Sequence, residues 1–312
     1  MVAGTGAVAS ASTPISCGAK IDRPGRYFLS ASCACTGNGP CIHVNSHNVT
    51  ISLNNRTLAC RPRRPAAADN DATFGIQATS VENFALIGCD SVASCRGKIT
   101  GCYIGVLAGH DNNLFIDRVN LSGNTYVAVD TSYSKKVRIT RNTIDGVAGY
   151  LGPGQHNAYA IGINGCGTGC EVIANVFKNI VTQIKAVPPL VGEGASIIQS
   201  AKVKGAHIAY NWFESVAEQT RDIGIRVGED GSAIVEHNTF TGFWHAVSGP
   251  GDVTVTNNRI LLRNPEAFPT SIGIYGGSGA ASGNLIVNYR TPIDEKVKDD
   301  GTNLVVTPPR SQ

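Results

Sequence analysis

A chain of 312 residues exceeds what one globular core normally fills, so it is built either from two domains or from a repeat growing along one axis. Its 36 Gly and single Met, beside many Asn, Ser and Thr, describe turns and strands and exclude a chain of long helices. A net charge of +3 and a pI of about 8.3 are too mild for a nucleic-acid binder, and no run is long and apolar enough to span a membrane.

The opening "MVAGTGAVASAS" lacks the charged start of a secretory signal but has the small residues that end one, so a mature exported chain with a replaced start, or with a retained processing scar, is expected. Ten cysteines, with close pairs at Cys89 and Cys95 and at Cys166 and Cys170, read as disulfides and as a secreted or periplasmic location. Zinc is disfavoured, because no CxxC pair recurs and no His lies at finger spacing. Residues 1–40 read as an N-terminal segment and cap, 41–294 as the repeat, and 295–312 as a tail. "RPRRP" from Arg61 reads as a solvated loop. "DNDAT", with Asp69 and Asp71, is where calcium would bind if the protein takes one; no other cofactor or metal is expected.

From Phe74 onward a strand-like phrase recurs: "FGIQA", "IGVLA" at Ile104, "VAVDT" at Val127, "IGING" at Ile161, "SIIQS" at Ser196, "IGIRV" at Ile223, "HAVSG" at His245 and "IGIYG" at Ile272. Period-two alternation predicts the first residue inward, the small second residue outward, the third inward and the variable fourth outward. Ten to fifteen residues after most copies comes a second phrase, an Asn set between apolar residues. "ITRNTIDG" and "VEHNTFTG" are the plainest copies. The asparagines are Asn142, Asn175, Asn211, Asn238, Asn258 and Asn284, with degenerate early copies in "VTISLNNRTL" and "LFIDRVNL". A phrase recurring at such spacing marks a repeat architecture. Short strands running the same way cannot bury an apolar face singly, but stacked copies do, which predicts an all-β parallel β-helix of about eight to ten rungs. Each Asn then occupies the same turn of successive rungs, where stacked amides bond along the axis.

With these phrases, and with "PGRYFLS" from Pro24 leading into "VTISLNNRTL", the chain resembles the right-handed parallel β-helix proteins of the pectin-lyase-like superfamily. The resemblance implies a right-handed solenoid, and a face on which members hold extended polysaccharides. It does not extend to activity motifs. The paired aspartates and "GHG" of polygalacturonases, the "DPH" of alginate epimerases and the Arg-x-Pro-x-x-Arg of pectate lyases are absent, and "GHD" from Gly109 is a weak echo.

The small residues Gly75, Gly105, Ala128, Gly162, Gly224, Ala246 and Gly273 would floor an outward groove. The variable positions Gln77, Leu107, Asp130, Asn164, Gln199 or its neighbour, Arg226, Ser248 and Tyr275 would line it, with Tyr159 and Arg221 in a flanking column. Two insertions, Val147–Ala158 and Val181–Ala195, would wall the groove and bring His156, Lys185 and Glu193 toward it. Uronate chemistry needs the C6 carboxylate neutralised, a base for the C5 proton, and an acid. Arg221, Arg226 or Asn164 can neutralise, His156 or Lys185 can act as base and Tyr159 as acid, while Asp130 adds a carboxyl; Gln199, Glu193 and Tyr275 would contact substrate. His245, at an inward position, is expected to pack.

The expected function is that of a lyase or C5-epimerase on a uronate-containing polysaccharide, with no nucleic acid and no membrane span among its partners. A glycoside hydrolase or intramolecular glycosyl transferase would instead need two carboxyl groups at about 5 Å or roughly 6.5–9.5 Å. Asp130 has no acidic neighbour in its column, and Asp222 and Glu229 lie about three rungs away, although a loop residue such as Glu193 could close the gap. A non-catalytic glycan-binding helix, and a small-molecule isomerase or cyclase closed over by the loops, complete the alternatives.

Overall fold

The computed structural model describes residues 12–61, 73–90, 96–149, 157–166, 169–180, 194–199, 203–216 and 222–308. Every pairing between its strands is parallel, and the strands form three long sheets that together make a right-handed parallel β-helix. The first sheet runs from Ala19–Ile21 through Ile104–Gly109 and Val127–Ser132 to Thr291–Ile293. The second runs from Thr13–Ile15 through Asn112–Asp117 to Lys298–Asp299. The third ends at Leu304–Val306. Paired strands therefore also lie on both sides of the span 41–294. No helix among the described residues is long and apolar enough to cross a membrane.

The inside is one continuous core, to which successive rungs contribute Ile76, Val106, Val129, Ile161, Ile197, Ile225, Val247 and Ile274, all fully buried or nearly so. In the third sheet Phe177, Phe213 and Phe240 stack in consecutive rungs at 4.8 and 4.5 Å between ring centroids. That spacing matches the distance between parallel strands, so each ring packs flat on its neighbour.

The turn between the second and third sheets carries the expected asparagines. Asn142 Nδ2 donates to Asn175 Oδ1 at 3.0 Å, and the relay continues through Asn211, Asn238, Asn258 and Asn284 to Asn303. The backbone N–H of each Asn donates to the same oxygen of the next rung, as in Asn175 to Asn211 at 2.8 Å. The residue before each ladder Asn turns left-handed, with φ of 56° at Arg141, 58° at Ala174, 57° at Tyr210 and 54° at His237. Its side chain is thereby thrown onto the outer corner of the solenoid.

Described disulfides join Cys17 to Cys33, Cys35 to Cys41, Cys60 to Cys102 and Cys166 to Cys170. Cys17, Cys35 and Cys41 crowd together, but their sulfurs are consumed in these bonds and are not free to ligate a metal.

Candidate functional site

The register of the first sheet corrects the expected alternation. Ile104 stands opposite Phe74 and Val127, and Val106 opposite Ile76 and Val129, while the intervening glycines make no ladder pair. The chain bends at that small residue. A Cβ at Gly75 would meet Ile99 and the Cys102 sulfur, and one at Gly224 would press into the Phe240 ring, so these small residues, unlike Gly162, point into the core and floor no groove. Ala128 and Ala246 belong to the same core. The first residue of each phrase is turned outward instead, giving a separate apolar stripe of Ile104, Val127, Tyr159, Ala195 and Ile223.

His245 continues that stripe, opposite Ile223 and Ile272, so it does not pack inward as expected. Trp244 stacks on it at 3.7 Å and Tyr275 lies at 5.4 Å.

A second correction concerns the rung of Asn164. Tyr159 pairs with Val127 and Gly162 with Asp130, which sets Asn164 opposite Ser132, two residues beyond its expected place. Tyr159 accordingly belongs to the stripe and not to a flanking column. In the following rung Ile198 takes the variable outward position, opposite Gly162 and Arg226, while Gln199 pairs with Ile163 and Val227, two core residues. His156, Lys185, Glu193 and Arg221 lie outside the described residues, as do Asp69, Asp71 and the side chain of Gln199.

Asp130, Tyr159 and Asn164 thus share two successive rungs. Gly162, with no side chain, leaves a notch beside Asp130: a Cβ there would stand 3.9 Å from Asp130 Oδ1. Burial raises the Asp130 carboxyl above the ordinary range, against the opposing bonds of the Ser132 hydroxyl, at 2.7 Å, and the Ser132 amide. A carboxyl so placed accepts a proton more readily than an exposed one, which suits it to act as a base. Tyr126 leads the ring of Tyr159 on one side, with centroids 5.9 Å apart, and itself stacks on Tyr103 at 5.1 Å. Ser132 and these two tyrosines escape a sequence reading, since Tyr103 and Tyr126 precede the strand phrase and Ser132 follows it.

Arg226 is not part of this group. It lies three rungs from Asp130, roughly 14 Å at strand spacing, and with Ser248 and Tyr275 forms the far end of the same face. Asp222 does not reach the face at all, being 1% exposed and held by the Ser215 hydroxyl at 2.5 Å.

No family model and no curated protein matches the sequence. Among solved structures, a double mutant of the periplasmic alginate epimerase AlgG superposes with a TM-score of 0.56 at 11% identity, covering 94% of this chain and 77% of that one. A single mutant of the same enzyme gives 0.54 at 11% identity, over 94% and 76%. Fold, register and superposition agree: the chain has a right-handed parallel β-helix fold, which it shares with this alginate epimerase.

Proposed function

We propose that the chain is an exported carbohydrate-active enzyme that moves a proton at C5 of a uronate unit in a polysaccharide, ending in elimination or epimerisation. The observation that carries this reading is the Asp130 carboxyl, raised by burial, beside the Gly162 notch, with Tyr159 and Asn164 in the next rung. Among the described residues, its outward neighbours Leu107, Val127, Gly162 and Ser132 are not acidic, so the two-carboxyl arrangement of a hydrolase has no support here. The disulfides agree with an oxidising compartment, and an alginate epimerase shares the fold.

In this reading the Asn164 amide donates to the C6 carboxylate, which makes the C5 proton acidic, and Asp130 takes that proton. The carbanion then has two exits. It expels the O4 substituent, which Tyr159 protonates to leave an unsaturated uronate, or it takes a proton from Tyr159 on the opposite face of C5. Arg226, at the far end of the face, would hold another carboxylate of the same chain.

The test is incubation with alginate, pectate, glucuronan and glycosaminoglycans in heavy water, read by deuterium at C5 and by the ultraviolet absorbance of unsaturated ends. Wild type is expected to act on at least one polymer and Asp130→Asn to be slower by about a hundredfold or more. Because the Asp130 pKa is raised, activity should fall with acid at a pH above the ordinary carboxylate range. Wild type inert on every polymer, or full activity in Asp130→Asn, would overturn the reading.

A further inference from the structure

Away from the first sheet, on the corner formed by the asparagine ladder, Arg96, Arg118 and Arg141 line a depression of about 290 Å³ floored by Asn142, Ala174 and Val176. One carboxylate serves two of these three guanidinium groups. Asp117, 1% exposed, accepts from Arg141 Nε and Nη2 at 2.8 and 2.7 Å, from Arg118 Nε at 2.9 Å and from the Thr140 hydroxyl at 2.7 Å. Among the described residues Arg96 donates only through Nη1, to Thr143 Oγ1. Each arginine therefore keeps terminal donors uncommitted, and the depression carries an excess of positive charge held in place by a buried anchor. Guanidinium forks of this kind match carboxylate and sulfate groups bidentately.

The repeat sets an aromatic platform beside the charge. The corner column reads Arg118, Arg141, Ala174, Tyr210, His237, each in the left-handed conformation that throws its side chain outward. Ala174 is the short member, and its shortness opens the depression between Arg141 and Tyr210. Tyr210 is 60% exposed and stacks on His237 at 5.1 Å, and Trp212, opposite Val176 in the next column, is 50% exposed. Arg141 and Tyr210 are two rungs apart, roughly 10 Å. Large exposed rings on a rigid rung, next to unsatisfied cations, are costly to keep bare in water and complement a ligand with an anionic group and an apolar face.

We infer that this corner is a second binding strip for an acidic saccharide: a carboxylate or sulfate enters the arginine depression and an adjoining sugar ring lies on Trp212 and Tyr210. A nucleotide would also offer an anion and a flat face, but the net charge of +3 lacks the strong basic field that nucleic-acid binding needs. The strip would hold a polymer while the first-sheet face works on it. The inference shares the acidic polysaccharide of the proposed function but does not require that Asp130 be catalytic.

The chain's two tryptophans separate the sites. Trp212 lies on the strip and Trp244 on the first-sheet face against His245. Titration of the ¹⁵N-labelled protein with a size-defined oligouronate, a sulfated oligosaccharide, a neutral oligoglucan and a single-stranded oligonucleotide should move the Trp212 indole signal, assigned with Trp212→Phe. Only the acidic saccharides are expected to do so, in a salt-sensitive way. Arg96→Ala, which leaves the Asp117 network intact, should weaken the Trp212 response at least tenfold and leave that of Trp244 unchanged. A Trp212 signal indifferent to acidic saccharides, an equal response to the neutral glycan, tighter binding of the oligonucleotide, or no effect of Arg96→Ala would each overturn the strip. Failure of the proposed function would show separately, as an absence of C5 exchange whatever Trp212 does.

Discussion

Asp111 shows how much one buried carboxyl can impose on the whole chain. It is 1% exposed, its Oδ2 has no hydrogen-bond partner among the described residues, and burial pushes its pKa up to about 7 against the opposing backbone bonds of Val81 and Ser80. The unfolded chain releases this proton near the ordinary value of 3.8, so the folded state binds more protons between there and about 7. Stability attributable to Asp111 therefore falls as pH rises through that window and stays reduced above it. Asp111→Asn keeps an oxygen for the Val81 amide and removes the titration. Denaturant melts across the window should show wild type losing roughly 2–4 kcal/mol relative to the variant as pH rises, and parallel curves would sink the assignment. Asp117 behaves oppositely: burial works to raise it, but the bonds from Arg141, Thr140 and Arg118 and the charge of Arg141 prevail and hold it low. None of this was legible in "GHD" or "FIDR", because burial and partner geometry arise only when distant rungs meet.

At the scale of the element, the asparagine turn was legible and the strand beside it only partly. Asn142 to Asn284 announce themselves because each sits between apolar residues that fill the core, whereas Asn303, in "DGTNLVV", lacks the apolar residue before it and was missed. In the first sheet, simple alternation failed because the chain bends at its small residue, so two neighbours, such as Ala128 and Val129, both face the core. The resemblance of "IGING" to "IGIRV" likewise misplaced Asn164, since the matching unit is "YAI", with Tyr159 opposite Val127. The ladder makes a strong demand on each member. Asn211 accepts from both the backbone and the side chain of Asn175, and donates to Asn238 Oδ1 and to the Val172 carbonyl. Asn211→Leu fills a similar volume but strands these buried groups, each costing about 1–3 kcal/mol. The variant should melt well below wild type, by an amount equivalent to roughly 3 kcal/mol or more, and an unchanged melting curve would rule out the ladder as a stabilising device.

Across the whole molecule, two different staples hold two ends of one solenoid. The bonds Cys17–Cys33, Cys35–Cys41 and Cys60–Cys102 tie the early rungs, where the ladder has not yet begun. From Asn142 onward the amide relay runs unbroken to Asn303, and beyond Cys170 there are no cysteines. In a solenoid each rung contacts its neighbours alone, so local stability follows the local staple instead of being shared through one cooperative core. Reduction should therefore act unevenly. Hydrogen exchange measured with and without a thiol reductant is expected to lose protection first in the strands between Thr13 and Cys60, while Ala206–Ala209, Ser232–Glu236 and their neighbours keep theirs. The outward face of the first sheet straddles this divide, with Asp130 just before the first ladder asparagine and Arg226 well inside the ladder region. If protection instead falls uniformly along the chain, the rungs are coupled more strongly than nearest-neighbour stacking allows. If the early rungs survive reduction intact, their parallel pairing and apolar interior suffice without the disulfides.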